Sequence, residues 1–191
     1  MGSSAGPGAD AAPANESRPH IILVGLPGAG KSSCGVLLAD RLGRPFVDLD
    51  AEIERAAGTT ISEIFATRGE AHFRDLESAE TRRLLSRPPS VVSPGGGWVE
   101  REENLAAVRQ VARVVYLRVT AREASRRLGE QVAQRPLLAG GDPEGRIAAL
   151  LERRARHYEV ANLILDTEVL SVEEVVTVLR ELVLTGGASL G

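Results

Sequence analysis

Lys31 is the single lysine of a chain that carries twenty-two arginines, and it stands in Gly25-Leu26-Pro27-Gly28-Ala29-Gly30-Lys31-Ser32. That run fits G-x-x-x-x-G-K-[ST], a loop whose backbone amides cradle phosphates. A compact ammonium sits between two phosphates more readily than a broad planar guanidinium does. Chemistry therefore accounts for one lysine in a chain that otherwise uses arginine. Gly28, Ala29, Gly30, Lys31, Ser32 and Ser33 become candidate nucleotide ligands, with the Ser32 hydroxyl a candidate ligand of Mg²⁺. The bland alternative is a Gly-rich turn with a solvated lysine.

Three further groups of residues could do chemistry beside bound phosphate. Asp48-Leu49-Asp50 ends an apolar run. On a strand, residues two apart share a face, so both carboxylates would enter one cleft. Solvated aspartates at a strand end are the alternative. Arg74 and Glu77 lie three apart in a helical pattern, so Glu77 could hold the guanidinium with its fork toward a carboxylate ligand. An ordinary surface ion pair has the same spacing. Gly95-Gly96-Gly97 follows a short apolar strand, and three missing side chains open the backbone amides to a ligand.

The elements that must position these residues alternate between strand and helix. His20–Val24 reads as a doubly buried strand, Lys31–Leu42 as a helix with Val36, Leu37, Ala39 and Leu42 inward, and Phe46–Asp50 as a second strand. Helical patterns follow at Ala51–Ala57, Ile61–Thr67 and Phe73–Leu85, the last burying Leu76, Ala79, Leu84 and Leu85. Ser90–Ser93, a segment within Val111–Val119, and Leu163–Leu165 are the remaining strands. Thr60/Glu63 and Ser171/Glu174 are capping boxes, the second opening a helix with Val175, Val176, Leu179, Leu182 and Val183 inward. The alternation predicts an α/β fold with a parallel sheet, whose ligands lie beyond the carboxyl ends of its strands.

Composition narrows the setting. The 191 residues suffice for one α/β domain, and a net charge of −3 with scattered arginines argues against a nucleic-acid partner. No apolar run reaches membrane-spanning length, and one cysteine suits a reducing compartment, so a cytoplasmic protein is expected. Residues 1–19 are rich in Gly, Ala, Pro and Ser and read as a disordered tail, as do 185–191; the folded domain is 20–184. Cys34 is expected to be a small core residue. His20, His72 and His157 lack metal-ligand spacing.

Taken together and in this order, the motifs resemble the shikimate kinase family over about residues 20–184. The resemblance includes Arg135-Pro136-Leu137-Leu138 and Arg154-Ala155-Arg156-His157-Tyr158. It implies a three-layer P-loop kinase fold with a five-stranded parallel sheet and a mobile lid near Leu128–Leu138. It also implies ATP as co-substrate, Mg²⁺, and shikimate as acceptor. By the same likeness Asp50, Arg74, Gly96 and Arg154 hold shikimate, with Gly95 and Gly97 beside them. Arg74 and Arg154 grip its carboxylate, and Asp50 bonds the hydroxyl to be phosphorylated. Arg135 reaches ATP phosphates from the lid, Ser32 and Asp48 organise Mg²⁺, and Ser93 assists through water. Lys31, Asp50 and Arg135 are the expected catalytic residues, and a monomer is expected.

Two departures from the family pattern bear on the adenine. The position seven before Arg135 is Leu128, and the arginine stands one earlier, at Arg127, which is taken as the nucleotide contact. Asp166–Ser171 contains no proline for the base's other face. Trp98, directly after the glycines, either lines the site or caps the core. Two rival readings are a kinase of another small hydroxylated substrate and a ligand-sensing regulator on a kinase-like domain. Against the second, only about twenty residues precede the loop strand, too few for a DNA-binding domain.

Overall fold

The computed structural model describes residues 19–129 and 142–184. Five strands form one parallel sheet: β1 His20–Val24, β2 Phe46–Asp48, β3 Val91–Ser93, β4 Ala112–Arg118 and β5 Leu163–Asp166, in the order β2-β3-β1-β4-β5. The central β1 is buried along its whole length, as its unbroken apolar run requires. From β1 the chain first crosses to the β2 side, and after β3 it crosses to β4 on the other side of β1. The crevice where these directions diverge lies beyond the end of β1, where the phosphate-type loop begins.

Among the described residues, seven α-helices flank the sheet: α1 Lys31–Leu42, α2 Leu49–Ala57, α3 Ile61–Leu85, α4 Glu102–Val108, α5 Ala121–Leu128, α6 Pro143–Tyr158 and α7 Val172–Leu184. α1 packs on α7, α2 on α3, and α5 on α6. Both predicted capping boxes form. Thr60 Oγ1 accepts from the Glu63 amide at 3.2 Å, and Ser171 Oγ accepts from the Glu174 amide at 3.3 Å. None of the helices among the described residues is long and apolar enough to cross a membrane.

Three local expectations are corrected. The second strand stops at Asp48, and Leu49 already starts α2. Asp48 is the N-cap of that helix, its Oδ1 accepting from the amides of Asp50 at 3.1 Å and Ala51 at 3.3 Å. Capping satisfies two amides that a helix start would otherwise leave unbonded, and it ends the strand. Asp48 and Asp50 are thus not neighbours on one strand face. In α1 the buried stripe is Cys34, Gly35, Leu38 and Ala39, while Val36 points out, 54% exposed.

The third correction concerns α3. Ile61–Thr67 and Phe73–Leu85 run together as one element, kinked at Gly69, whose φ of 78° and ψ of 172° are not helical. Its C-terminal half buries Phe73, Arg74, Glu77, Ser78, Thr81 and Leu84, whereas Ala79 is exposed and Leu76 and Leu85 are half-buried. The inward face is largely polar, which hydrophobic periodicity cannot register. Trp98 settles into the core at 1% exposure. Its indole Nε1 donates to Thr81 Oγ1 at 2.8 Å, giving that buried hydroxyl a partner. Cys34 is also buried, and burial raises its thiol to about 11, unlike a nucleophile. The buried His20 ring bonds Ser90, with Nδ1 3.1 Å from Oγ.

The loop is pinned against the next layer by close backbone approach. Gly28 has φ 84°, and a Cβ there would lie 2.3 Å from the Ala124 carbonyl oxygen of α5. Gly28→Ala combines backbone strain with a clash against backbone, so it is expected to destabilise the fold by at least about 2 kcal/mol. Urea unfolding compared with the parent chain checks this.

Candidate active site

At the carboxyl edge of the sheet the loop following β1 turns into α1. Lys31 Nζ donates to the carbonyls of Gly25 at 2.9 Å and Leu26 at 3.1 Å, closing the loop on itself. The α1 N-terminus and loop amides present partial positive charge toward any phosphate above them. A cleft of about 700 Å³ opens there. The loop residues Gly28–Cys34 form one wall, α5 with Glu123, Arg126 and Arg127 a second, and Thr167–Val172 a third. Ser32 and Ser33 are exposed at the helix start. Leu128, where the family pattern has arginine, is buried, and both it and Arg127 line the cleft. Arg135 lies outside the described residues, as do 130–138 of the expected lid and the tails 1–18 and 185–191.

A second constellation forms around Gly95-Gly96-Gly97. Charged side chains crowd all three glycines, Gly97 most tightly. At Gly95 a Cβ would lie 3.0 Å from both Asp50 Oδ1 and Glu77 Oε1. At Gly96 it would meet Arg154 Nη1 at 3.0 Å, and at Gly97 the Arg74 guanidinium, with Cζ at 2.7 Å. Asp50 from α2, Arg74 and Glu77 from α3 and Arg154 from α6 therefore converge on one stretch of backbone. The same Gly96 point is 3.5 Å from the Gly25 carbonyl oxygen, so this constellation adjoins the phosphate-type loop. Ser93 is buried, paired across the sheet with Asp48 at the strand ends just before it.

Both arginines are held by carboxylates. Arg74, 8% exposed, donates through Nη1 to Glu77 Oε2 at 2.5 Å and through Nη2 to Glu70 Oε1 at 2.9 Å. Arg154 is 1% exposed, and its Nε donates to Glu100 Oε1 at 2.7 Å. Among the described residues its buried Nη2 has no hydrogen-bond partner. A buried guanidinium edge with a donor to spare suits an anionic ligand. Tyr158 donates its hydroxyl to the Gly96 carbonyl at 3.0 Å and stacks on Tyr116 with ring centroids 4.6 Å apart, fixing the far side of the glycine loop.

Sequence reading missed three of these supports. Glu70 carried a usable signal, the i,i+4 spacing to Arg74. Tyr158 stood in the Arg154–Tyr158 stretch without a role of its own, and Glu100 had no local mark; both are distant in sequence from the partners they meet.

Burial is the largest influence on both members of the Arg74–Glu77 pair, yet their outcomes differ. Burial lowers Arg74, but the charges and hydrogen bonds of Glu77 and Glu70 outweigh it, and Arg74 ends above its ordinary range. Glu77 is fully buried and also faces Asp50. Burial raises it to about 7 despite the pull of Arg74. Charge repulsion between the two carboxylates thus supplements desolvation.

A glycine-rich loop at the topological switch point, with a cleft of about 700 Å³ on one side and two buried, carboxylate-braced arginines on the other, defines a P-loop kinase. The family model for shikimate kinase matches residues 27–183. A shikimate kinase of Thermodesulfovibrio yellowstonii is 42% identical over 156 residues, covering 82% of this chain and 90% of that protein. One from Geobacter metallireducens is 46% identical over 157 residues, covering 82% and 87%. The solved structure of shikimate kinase from Acinetobacter baumannii in complex with shikimate superposes with a TM-score of 0.84 at 36% identity, over 91% of this chain and 97% of that one. The chain belongs to the shikimate kinase family.

The raised Glu77 has a consequence for stability. Its folded value lies above the ordinary carboxyl value of 4.5, so its contribution is fully present below 4.5 and is lost as pH rises to about 7. Glu77→Gln keeps an acceptor for Arg74 without the titration. The melting temperature of the parent minus that of Glu77→Gln is therefore expected to fall between pH 4.5 and 7, as thermal melts at matched ionic strength will show.

Proposed function

We propose that this chain transfers the γ-phosphoryl group of ATP to the 3-hydroxyl of shikimate, giving shikimate 3-phosphate and ADP, using the two constellations described above. The convergence of Asp50, Arg74 and Arg154 on the glycine loop beside Gly25 supports the reading most directly, because it sets two buried guanidiniums and a carboxylate next to a phosphate loop.

In the proposed reaction the loop amides of Gly28–Ser33 and Lys31 hold the β- and γ-phosphates, Lys31 exchanging its carbonyl partners for phosphate oxygens. Arg74 and Arg154 grip the shikimate carboxylate, and the backbone of Gly95–Gly97 closes against the ring. The acceptor oxygen bonds to the γ-phosphorus as the bond from that phosphorus to the bridging oxygen of ADP breaks. Asp50 orients the attacking hydroxyl and takes its proton. Arg135 adds positive charge near the transferring group, and Arg127 meets the adenine. Alignment and charge stabilisation supply most of what phosphoryl transfer needs from a protein.

Ser32 and Asp48 are the proposed Mg²⁺ side of the site. A hydroxyl and a carboxylate are hard oxygen donors, and Mg²⁺ takes few protein ligands while keeping waters and phosphate oxygens, so the donor chemistry fits. Asp48 spends Oδ1 on the α2 amides, which holds the carboxylate still. The ion would neutralise charge on the phosphates. Ser93, the residue facing Asp48 across the sheet, assists through water. As proposed, the enzyme is a cytoplasmic monomer acting on a small molecule, with its site built from one chain and no nucleic-acid or membrane partner.

Two measurements test this reading. ADP release in Mg²⁺ should depend on added shikimate, and Lys31→Ala should lower kcat by at least about a hundredfold through lost charge stabilisation. Near-normal turnover in that variant contradicts it. Arg74→Lys removes the bidentate fork, so the KM for shikimate should rise about tenfold or more while the KM for ATP stays within about twofold. Initial rates with each substrate varied separate the two constants.

A further inference from the structure

The turn after β5 is tied to α5 at both ends of that helix. At the N-terminal end the Glu168 carboxylate accepts from Thr120 twice, from its amide at 2.9 Å and its hydroxyl at 2.7 Å. At the C-terminal end Arg127 Nη2 donates to the carbonyls of Thr167 at 2.5 Å and Glu168 at 3.2 Å. Thr167 is itself 1% exposed and anchored to β4, its amide and hydroxyl both donating to the Arg118 carbonyl, at 2.9 and 3.1 Å. The Glu168 amide donates to Asp166 Oδ1 at 3.0 Å, which sets the start of the turn.

These bonds decide what Arg127 can do. Its Nε donates to Glu123 Oε1 at 2.7 Å and its Nη1 to Thr167 Oγ1 at 3.4 Å, so every nitrogen of the guanidinium is engaged by protein. The Nε and Nη2 donors are fully committed, which leaves one Nη1 N–H and the planar face toward a ligand in the cleft. The face suits an aromatic base. Both Glu168 carboxylate oxygens are likewise spent on Thr120, so this side chain acts on the cleft through the backbone it holds.

We propose that Glu168 is a positioning residue for the nucleotide: by gripping Thr120 it fixes the two carbonyls that orient Arg127, and so sets the affinity for ATP. The turn lacks a proline to stiffen it, and the bidentate grip supplies the rigidity from outside. Pre-organising a base-stacking side chain lowers the ordering cost of binding, which appears in KM for ATP and not in KM for shikimate. The inference rests on the reading that Arg127 meets the adenine.

A double-mutant cycle on the full chain tests it. Glu168→Ala is expected to raise the KM for ATP about fivefold, the worth of one lost orienting hydrogen bond, with the KM for shikimate within about twofold. Because Glu168 acts through Arg127, the Glu168→Ala/Arg127→Ala double variant should bind ATP no more weakly than Arg127→Ala. Additive losses, equal changes in both KM values, or an unchanged KM for ATP in Glu168→Ala overturn the proposal. If Arg127→Ala leaves the KM for ATP unchanged, the reading of Arg127 fails. If Arg127→Ala raises it and Glu168→Ala does not, only the role of Glu168 fails. Should Glu168→Ala fold poorly, Glu168→Gln keeps one acceptor for Thr120. A smaller, ATP-selective rise in KM supports the proposal, and a rise in both constants or no rise refutes it.

Discussion

Asp50, Arg74, Glu77 and Arg154 come from three helices, and all press on the backbone of Gly95–Gly97, most tightly at Gly97, where a Cβ would lie 2.7 Å from Arg74 Cζ. Much of the acceptor half depends on that crowding. Charged groups packed this closely are tolerable only when each meets an opposite charge or a hydrogen bond. Glu77 and Glu70 neutralise Arg74, and Glu100 neutralises Arg154. The net effect is a pair of buried, carboxylate-braced guanidiniums whose geometry is settled before any ligand arrives. That is the condition under which bidentate recognition of a carboxylate is most effective.

The donor half is built on a different principle. Here backbone amides at a helix start face the cleft, and Gly28 carries no side chain where the loop passes against α5. Lys31 is tethered to the carbonyls of its own loop, a reversible arrangement that a flexible ammonium can exchange for phosphate oxygens. Arginine, by contrast, appears where the partner is planar or where several fixed acceptors must be bridged, as at Arg74, Arg154 and Arg127. At these sites the choice between lysine and arginine follows the geometry of the partner.

The two halves are joined by the sheet. β1 delivers the phosphate loop, β2 ends on the capping Asp48, β3 leads into the glycines, and β5 delivers the turn that orients Arg127. Parallel pairing puts all these ends on one edge, and the order β2-β3-β1-β4-β5 sets the loop between the acceptor and base sides. Glu168 and Asp48 have related tasks: each spends carboxylate oxygen on the start of a helix and thereby holds a loop of the site in place.

Much of this was legible in the residues themselves. The unbroken apolar run of β1, the loop with its lysine, both capping boxes and the glycine triplet are local patterns, governed by interactions within a few positions. Where a local rule had a competitor, sequence reading fell short. Asp48-Leu49-Asp50 reads as strand by its flanking apolar residues, but Asp48 is also a strong N-cap, and the helix begins one residue later. The polar inward face of α3 had no periodic signal: Arg74 and Glu77 pair within the helix, while Thr81 and other groups of the site find partners far along the chain. Those partners, Trp98 for Thr81, Glu100 and Tyr158 around Arg154 and Gly96, and Thr120 for Glu168, were decided by the tertiary structure. Sequence determines which groups are present and how neighbours within a turn or strand are spaced. Which distant charge sits opposite which is set by the packing of helices onto the sheet, and in a low-dielectric site that choice makes each group a ligand, an anchor or a neutral acid.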